Sequence, residues 1–291
     1  MLGKYEKTIN EIIKKALAED IGKGDITSSF LFPENFQVEA NLISKEEGVI
    51  CGIDIFKKVF YFLSPQFTFN FFFKDGEEIK KNEIVAEICG PLRELLAGER
   101  VALNFIQHLS GIATETRKFV KKTENKVKIY DTRKTTPNLR ILEKYAVKIG
   151  GGENHRFGLF DMVLIKENHI TALMKKENIG REDAVFLAVK KVREKSRGKF
   201  QIEIEVENFE EAKMGFEAGA DIIMFDNAEK EELSKFLDFL GEKRKNVEIE
   251  WSGNVNLENI EEIKELPVDR VSVGSITHSA KSLDFSLKIK G

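Results

Sequence analysis

The feature that most constrains this fold is the alternation of short strands and helices that begins near residue 127. Repeated strand–helix units of this length favour parallel strands, arranged either as a barrel or as a doubly wound sheet. The predicted strands lie at 127–132, 162–166, 201–207, 221–227, 247–253 and 270–275. Helices are predicted between most of them, at 181–196, 208–219, 229–241 and 256–265. Because a closed barrel of this kind has about eight strands, six predicted strands indicate an incomplete one.

The first third of the chain predicts a separate α+β domain. Apolar residues at helical spacing predict helices at 5–20 and from about 95 to 122. Alternating segments between these helices predict strands at 37–44, 48–53, 67–73 and 83–90. We therefore expect an α+β domain at 1–112 and an α/β barrel domain at 113–275, with the tail at 276–291 packing on the first domain.

Charge and hydropathy patterning exclude several function classes. The chain has 46 Lys and Arg against 49 Asp and Glu, which gives a net charge of −3. A balance so near zero gives no support to a general role on nucleic acid or on a membrane surface. The sequence has no run of about 18 apolar residues and no start typical of a secretory signal. We therefore expect a soluble, cytoplasmic protein.

Two of the predicted strands carry carboxylates along one face. In QIEIEVE (201–207) three glutamates alternate with apolar residues, and in VEIEWSG (247–253) Glu248 and Glu250 share a face with Ser252. If helices cover the apolar face, these carboxylates point into the barrel or its mouth. Buried carboxylates without partners are costly, so we expect cations opposite them. An antiparallel edge strand with a solvated face is one alternative, and an internal ion-pair network without a catalytic role is another.

Basic residues border other predicted strands. The first of the six strands runs into Arg133 and Lys134. His155 and Arg156 precede the second strand, which ends at Lys166. A planar guanidinium matches a carboxylate or phosphate, and a lysine adds a point charge, so the group indicates a small ligand with several negative charges. Three further bases at four-residue spacing are expected on a solvated helix face: Arg140, Lys144 and Lys148.

Glycines accompany these charged residues. The three glycines at 150–152 can adopt positive φ and bring backbone close to a ligand, although a flexible loop is the alternative. Ser252-Gly253 and Gly274-Ser275 follow the last two predicted strands. Gly-rich loops at those strand ends of a barrel commonly bind a phosphate, and His278 follows closely enough to take part.

Two carboxylates are predicted near the mouth of the ligand site. Asp226 ends the strand DIIMFDN (221–227), and Glu205 or Glu207 ends the strand before it. Carboxylates beside a phosphate-rich ligand usually hold Mg²⁺ or stabilise a developing positive charge. Capping of the following helix is the alternative for Asp226. The charged segment ITALMKKENIGRED (170–183) is predicted to be a loop.

In these blocks the sequence resembles the quinolinate phosphoribosyltransferase (decarboxylating), or nicotinate-nucleotide pyrophosphorylase, family. The resemblance spans roughly residues 5–285 and is carried by GERVALNFIQHLSGIAT, DTRKTTPNLR, KYAVKIGGGENHRFGLFDMVLIKENH, EVEN, DIIMFDN, WSGNV and VDRVSVGSITHSA. It implies a pentosyltransferase that joins quinolinate to phosphoribosyl pyrophosphate, releasing pyrophosphate and CO₂ to give nicotinate mononucleotide for NAD biosynthesis. It also implies an incomplete parallel α/β barrel of about six strands with an N-terminal α+β open-faced sandwich domain.

The resemblance further implies a role for each basic residue. The two carboxylates of quinolinate would be held by Arg133, His155, Arg156 and Lys166. Arg100 would complete this pocket from the neighbouring subunit of a homodimer or a higher homo-oligomer. We expect such a pocket to discriminate strongly against nicotinate, because removal of one carboxylate leaves part of the cationic pocket unpaired.

Other residues are implied to bind phosphoribosyl pyrophosphate. Lys134 would contact this substrate, and Glu205 and Asp226 would face the ribose and Mg²⁺ as catalytic and metal-binding residues. The residues implied around the 5′-phosphate are Ser252, Gly253, Gly274, Ser275 and His278.

Three alternatives stay open at this point. A related barrel protein of the same superfamily, found with molybdate transport, shares part of the motif set. A Schiff-base aldolase would use Lys166, but that chemistry favours a less cationic pocket than Arg133 and Arg156 provide. A non-catalytic sensor of phosphorylated metabolites would bind ligand without turnover.

Overall fold

The computed structural model describes residues 2–34 and 36–291. Its helices are α1 (Glu6–Ile21), α2 (Ile26–Leu31), α3 (Ile53–Leu63), α4 (Leu92–Lys122), α5 (Arg140–Gly150), α6 (Glu167–Glu177), α7 (Arg181–Ser196), α8 (Phe209–Glu217), α9 (Lys230–Leu240), α10 (Ile260–Ile263) and α11 (Ser275–His278). Its strands are β1 (Gln37–Ser44), β2 (Gly48–Val49), β3 (Thr68–Phe71), β4 (Glu78–Ile79), β5 (Ile84–Pro91), β6 (Lys128–Tyr130), β7 (Val163–Ile165), β8 (Ile202–Val206), β9 (Ile222–Asp226), β10 (Glu248–Ser252), β11 (Arg270–Ser272) and β12 (Phe285–Ile289).

The chain forms two compact units, and each is built from stretches that are not contiguous in sequence. The first unit consists of Met1–Lys118, Lys134–Gly152 and Ser275–Gly291, and the second of Phe119–Arg133 and Glu153–Gly274. Within the described ranges 2–34 and 36–291, no helix is both long and apolar enough to cross a membrane.

The first unit is built on an antiparallel sheet of four strands in the order β12–β1–β5–β3. Helix α3 packs on this sheet through aromatic rings, since Phe56 and Phe60 of α3 both contact the ring of Phe69 in β3. Such ring pairs add stability beyond the area that they bury. Strand β12, near the end of the chain, pairs with β1. The unit is therefore an α+β sandwich, as predicted.

One strand prediction in the first unit is wrong. Strand β2 covers only Gly48–Val49 instead of 48–53, because α3 begins at Ile53. Gly52 ends the extended segment with φ +102, and its N–H donates to the Asp75 carboxylate over 3.0 Å. Helix α3 was not predicted, because a short run rich in apolar residues does not by itself distinguish a buried helix from a buried strand.

The second unit contains the six predicted parallel strands, in the order β6–β11–β10–β9–β8–β7. All six lie within their predicted ranges, and each of the helices α7, α8 and α9 overlaps a predicted helix. Strands β6 and β7 end the strand order at its two edges, so the sheet is the incomplete barrel that was predicted. The residues that alternate with the carboxylates of β8 are fully buried, as expected for the face that helices cover.

Three further predictions that concern helices are wrong. The helix predicted at 256–265 is a single turn, α10, because Asn256 Oδ1 accepts from the backbone N–H groups of residues 258 and 259 and forms a turn there. The loop predicted at 170–183 is helical except for 178–180. Asn178, in the left-handed conformation, ends α6 only three residues before α7 begins.

The third difference concerns a helix face. Arg140, Lys144 and Lys148 were expected in solvent, yet Lys144 in α5 is only 3% exposed. Helix α5 buries most of its circumference, so charged residues lie among its apolar ones. The prediction of a solvated face is therefore wrong at Lys144.

Candidate active site

Four predicted site residues lie at one edge of the parallel sheet in the second unit. Lys166 follows β7 directly, and Glu205 lies one residue before the end of β8. Asp226 and Ser252 are the last residues of β9 and β10, and they pair in register. Because the carboxyl ends of parallel strands share one edge of a sheet, these residues form a single row. We call the row Lys166, Glu205, Asp226 and Ser252 the carboxyl edge.

The charged residues at one end of the carboxyl edge form an ion pair. Lys166 Nζ lies 2.5 Å from Glu205 Oε2. The backbone N–H of Lys166 donates to His169 Nδ1 over 2.9 Å, and the His169 N–H donates to the Lys166 carbonyl over 2.8 Å. His169 therefore caps α6 and holds the backbone of Lys166 at the strand end.

The loops that follow β9 and β10 pack tightly together. The Asn227 N–H donates to the Ser252 carbonyl over 3.1 Å, and Asn254 Nδ2 donates to Asn227 Oδ1 over 2.9 Å. Gly253 has φ +92, and a Cβ there would lie 2.3 Å from Asn227 Oδ1. The glycine predicted for a phosphate loop is thus required by both its conformation and the close approach of Asn227.

Lys134, Ser275 and His278 belong to the first unit. Ser275 and His278 begin and end the short helix α11, and the hydroxyl of Thr277 in that helix donates to the Lys134 carbonyl over 2.8 Å. Lys134 and His278 are exposed, and His278 Nδ1 lies 2.6 Å from Ser279 Oγ. The structure therefore places the backbone of Lys134 beside α11. Gly274 immediately precedes α11 and is counted in the second unit.

Arg133 and Arg156 place two like charges near each other in the second unit. Arg156 is buried, and its Nη1 donates to the Met162 carbonyl over 3.1 Å. Burial is the main cause that lowers the pKa of Arg156, and the charge of Arg133 lowers it further, while Glu203 opposes both. An anion placed between two neighbouring guanidinium groups strongly stabilises the charged form of the buried one.

His155, which precedes Arg156, is buried and held on several sides. Its backbone N–H donates to Asp131 Oδ1 over 2.8 Å, and its Nδ1 accepts from the Arg156 N–H over 2.8 Å. Its Nε2 lies 2.9 Å from Glu203 Oε2 and 3.7 Å from Glu250 Oε2. The segment is also held against β6, because the Glu153 N–H donates to the Ile129 carbonyl over 2.7 Å.

The carboxylates predicted to point into the barrel include a buried pair, Glu203 and Glu250. Burial raises the pKa of Glu203 to about 7 against the charges of Arg270 and Arg156. Burial, followed by the charge of Glu203, raises the pKa of Glu250 to about 8. Arg270 Nε lies 2.9 Å from Glu250 Oε2, and Ser272 Oγ donates to the other oxygen of Glu250. The expected cation is therefore Arg270, and His155 Nε2 faces Glu203.

Sequence reasoning did not identify Arg270 or Asp131 as part of the site. The sequence did carry a signal for Arg270. Side-chain alternation places Arg270 and Val271 on opposite faces of their strand, just as it places Glu250 and Ser252 on one face of the strand before it. The strand register confirms the pairing, since Glu250 lies directly opposite Arg270. Asp131 gave no comparable signal, because its partner, the backbone N–H of His155, lies 24 residues away.

Two groups of side chains could hold a cation. One ligand atom from each of His155, Glu203 and Glu250 lies within 4.8 Å of the others. Arg270 already neutralises Glu250 there, so a further cation would face its positive charge. Glu205 and Asp226 fit Mg²⁺ better, because they offer carboxylate oxygens that are partly exposed, and Mg²⁺ keeps several waters when bound.

The glycines at 150–152 have a structural function within the first unit. Gly151 ends α5 with φ +97. A Cβ at Gly150 would lie 2.6 Å from the Ala113 carbonyl oxygen in α4. Helix ending and close packing therefore account for these two glycines, and close approach to a ligand stays a prediction.

The sequence matches the family models described as "Quinolinate phosphoribosyl transferase, C-terminal domain" over residues 112–288 and "Quinolinate phosphoribosyl transferase, N-terminal domain" over residues 25–110. A protein of Bacillus subtilis (strain 168), "Probable nicotinate-nucleotide pyrophosphorylase [carboxylating]", is 42% identical over 282 residues, which cover 97% of this chain and 93% of that protein. The chain belongs to the quinolinate phosphoribosyltransferase family. A Methanocaldococcus jannaschii protein with the same description is 41% identical over 286 residues, 96% of each chain.

Solved structures of similar proteins support this family and its fold. The nicotinate-nucleotide pyrophosphorylase from Francisella tularensis is 37% identical, with a TM-score of 0.87 over 98% of this chain and 96% of that one. The corresponding protein from Ehrlichia chaffeensis is 39% identical, with a TM-score of 0.87 over 96% of this chain and 98% of that one. This quinolinate phosphoribosyltransferase thus has the decarboxylating pentosyltransferase activity of NAD biosynthesis that defines its family.

Proposed function

We propose that Arg133, Arg156 and Lys166 bind the two carboxylates of quinolinate, and that Glu205 and Asp226 stabilise the ribosyl group during transfer. The observation that carries this proposal is the Arg133–Arg156 pair. A buried guanidinium whose pKa is lowered by burial and by a neighbouring guanidinium needs an anion for stability. Quinolinate, with two carboxylates on adjacent ring atoms, would supply negative charge to both guanidinium groups.

Arg133 and Arg156 would also set the orientation of the substrate. Two planar guanidinium groups that each engage one carboxylate restrict the ring to one pose, with its nitrogen toward the anomeric carbon. Lys166 would add a charge from the carboxyl edge, where its pairing with Glu205 holds it in place. Schiff-base chemistry needs a neutral lysine in a less cationic pocket. The ion pair and the two arginines therefore disfavour the aldolase alternative.

Glu205 and Asp226 are suited to the transfer step. Asp226 shares a strand face with Met224, which lies opposite Glu205 in the register of β8 and β9, so the two carboxylates point the same way on neighbouring strands. Departure of pyrophosphate leaves positive charge on the ribose, which these carboxylates stabilise. Glu205 and Asp226 would hold Mg²⁺, which when bound supplies positive charge that stabilises a leaving pyrophosphate. Lys134 is proposed to contact phosphoribosyl pyrophosphate.

Decarboxylation would follow transfer. Once the pyridine nitrogen is bonded to the ribose, the positively charged ring accepts the electron pair left by the carboxylate next to the nitrogen. CO₂ then leaves, and the carbon takes a proton to give nicotinate mononucleotide. Arg133 and Arg156 would hold the remaining carboxylate, and no residue is required as a covalent nucleophile. A product decarboxylated before ribosyl transfer, detected in single-turnover experiments, would contradict this order.

We also propose a homo-oligomer, at least a dimer, in which Arg100 of one subunit reaches the quinolinate pocket of its neighbour. Arg100 is exposed on α4. Residues of α2 and of the turn before it line a cavity. Arg93 and Ala97 of α4 line the same cavity and lie within two turns of Arg100. Helix α2 exposes three large apolar side chains beside it: Ile26, Phe30 and Leu31. Exposed apolar groups of this size mark an interaction surface.

The finer roles of the remaining residues stay predictions. Ser252, Gly253 and Gly274 of the second unit, and Ser275 and His278 of the first, are proposed to contact the 5′-phosphate. The tight loop at Gly253 supports its part of this assignment. A cytoplasmic location is likewise proposed from the sequence alone.

The test is release of pyrophosphate and CO₂ from quinolinate, phosphoribosyl pyrophosphate and Mg²⁺ by the purified protein. We expect equimolar release, and its loss in Arg156→Ala. The matched control is Arg197→Ala, because Arg197 is exposed at the end of α7. Full activity of Arg156→Ala would contradict the proposed pocket, and absence of release from the unaltered protein would contradict the reaction. Light scattering of Arg100→Ala and of the unaltered protein measures the oligomer separately from the pocket.

A further inference from the structure

Both ring nitrogens of His155 are used within the protein. Nδ1 accepts a hydrogen bond from the Arg156 N–H over 2.8 Å, so this nitrogen carries a lone pair and not a proton. The ring proton must then be on Nε2, which lies 2.9 Å from Glu203 Oε2. Nε2 is buried beside Glu203, so its N–H does not face a substrate carboxylate. The role in quinolinate binding predicted for His155 therefore needs another explanation.

The groups around Nε2 connect three strands of the parallel sheet. Glu203 lies in β8, and Glu250 lies in β10, 3.7 Å from Nε2. Glu250 is bound in turn by Arg270 Nε at 2.9 Å and by the hydroxyl of Ser272, both in β11. All of these side chains are buried. Rotation or translation of the His155 ring would leave a buried carboxylate without its partner, which is costly.

Hydrogen bonds also fix the backbone of the segment that carries His155. Asp131, fully buried, accepts the His155 N–H over 2.8 Å, and its own N–H donates to the Glu153 carbonyl over 3.0 Å. The next peptide N–H belongs to Arg156 and is bonded to the ring. The backbone from which the Arg156 side chain extends is thus fixed by β6 on one side and by the ring of His155 on the other.

We propose that Glu203, Glu250 and Arg270 form a positioning network that fixes His155 and, through it, the guanidinium of Arg156, and that His155 itself does not touch quinolinate. This inference rests on the proposed function, because it takes Arg156 as the residue that binds the substrate carboxylate. The network is a set of positioning residues and not of catalytic ones. It acts on the affinity for quinolinate and leaves the affinity for phosphoribosyl pyrophosphate unchanged.

The decisive substitution is Glu250→Gln, which keeps the shape of the side chain but replaces one of its two oxygens, which face Arg270 and Ser272, by an amide NH₂. We expect the Kd for quinolinate, measured by calorimetry, to rise about 10- to 100-fold, as for other small misplacements of a binding group. The KM for phosphoribosyl pyrophosphate should not change. The matched control is Glu248→Gln, on the same strand face but with a side chain that is 53% exposed and 3.7 Å from Arg270. It should behave as the unaltered protein.

A double substitution separates positioning from a general loss of structure. If Glu250 acts through Arg156, adding Glu250→Gln to Arg156→Ala should cause no further loss of quinolinate affinity, since coupled residues are not additive. Additive losses, an equal effect on both substrates, or an unchanged Kd for quinolinate in Glu250→Gln would each overturn the proposal. If Arg156→Ala alone binds quinolinate normally, the proposed function fails first, and the two failures are distinguishable.

A milder variant covers the case in which Glu250→Gln does not fold. Ser272→Ala removes one hydrogen bond to Glu250 and leaves every charge in place. The expected rise in the Kd for quinolinate is about 2- to 10-fold, the effect of one hydrogen bond. An unchanged Kd in folded Ser272→Ala, together with misfolded Glu250→Gln, would show that the network only stabilises the fold and would overturn the proposal.

Discussion

Glu203 and Glu205 lie on the same face of β8, yet their surroundings differ completely. Glu203 is fully buried beside Glu250, His155 and the charge of Arg270, and its pKa is raised to about 7. Glu205 is partly exposed at the strand end, where it forms an ion pair with Lys166. Two residues along a strand move a side chain about 7 Å. That distance separates a buried positioning network from the edge at which substrates are proposed to bind.

Substitutions in these two groups of charged residues should therefore have different effects. Residues of the carboxyl edge and the cationic pocket should affect catalysis with little effect on folding. Residues of the buried network should affect stability and the placement of Arg156.

Replacing quinolinate by nicotinate should have the largest effect. Nicotinate lacks one of the two carboxylates, so part of the positive charge of Arg133, Arg156 and Lys166 would not be engaged by the substrate. We expect kcat/KM to fall by about 10⁴-fold, the discrimination typical of a site whose buried polar groups lose their partner. Steady-state kinetics with both substrates measures the ratio. Comparable turnover on nicotinate would mean that the cationic pocket does not read the second carboxylate.

Glu205→Gln should reduce kcat by about 10²- to 10³-fold, as expected when one charge that stabilises the transition state is removed. Its melting temperature should stay close to that of the unaltered protein, because Glu205 lies at the partly exposed strand end. The control is Glu207→Gln, an exposed residue on the same face of the same segment. A large loss of stability with unchanged kcat would remove the distinction between Glu205 and Glu203.

Glu250 should make stability depend on pH in a direction opposite to that of an ordinary salt-bridged carboxylate. Its pKa is about 8 in the folded protein against an ordinary value of 4.5. Between these values the folded state binds more protons than the unfolded state, so the free energy of unfolding falls as pH rises through this window. Below about pH 4.5 the effect is absent, because both states are protonated.

Urea denaturation between about pH 5 and about pH 8 tests this expectation. We expect the fall in unfolding free energy to be smaller in Glu250→Gln by an amount on the order of 2 kcal/mol, since each pKa unit corresponds to about 1.4 kcal/mol. The comparison variant is again Glu248→Gln. An unchanged pH dependence in Glu250→Gln would mean that the carboxyl of Glu250 is already ionised at neutral pH.

Gly253→Ala should combine a moderate loss of stability with a selective effect on the binding of one substrate. The substitution strains a residue at φ +92 and places a Cβ 2.3 Å from Asn227 Oδ1. We expect a loss of about 1–3 kcal/mol and a raised KM for phosphoribosyl pyrophosphate. Gly198→Ala separates strain from clash: its φ is +71, but within the described residues a Cβ there would have no heavy atom within 4 Å. Equal effects of both substitutions on KM would contradict a phosphate-binding loop at Gly253.

Much of the fold could be predicted because it depends on local periodicity. The alternation of period two in QIEIEVE and VEIEWSG predicted both the strands and their carboxylate faces, and the helical spacing between them predicted parallel order. Local sequence patterns did not predict the structure where contacts with neighbouring groups determine it. Helix α3 and the buried Lys144 of α5 depend on what packs against them, and the turn at Asn256 depends on side-chain hydrogen bonds that compete with a helix.

The candidate site divides in the same way. Motif blocks and side-chain alternation are properties of the chain alone, so they predicted the family, the set of basic residues and the presence of inward-pointing acids. Which cation pairs with which acid depends on how the strands pack in the folded protein. Glu250 pairs with Arg270 because parallel strands in register place them opposite each other. The proton of His155 is assigned to Nε2 because the Arg156 peptide N–H occupies Nδ1 and Glu203 faces the other nitrogen. Such contacts join residues far apart in sequence, and they form only when several strands fold together.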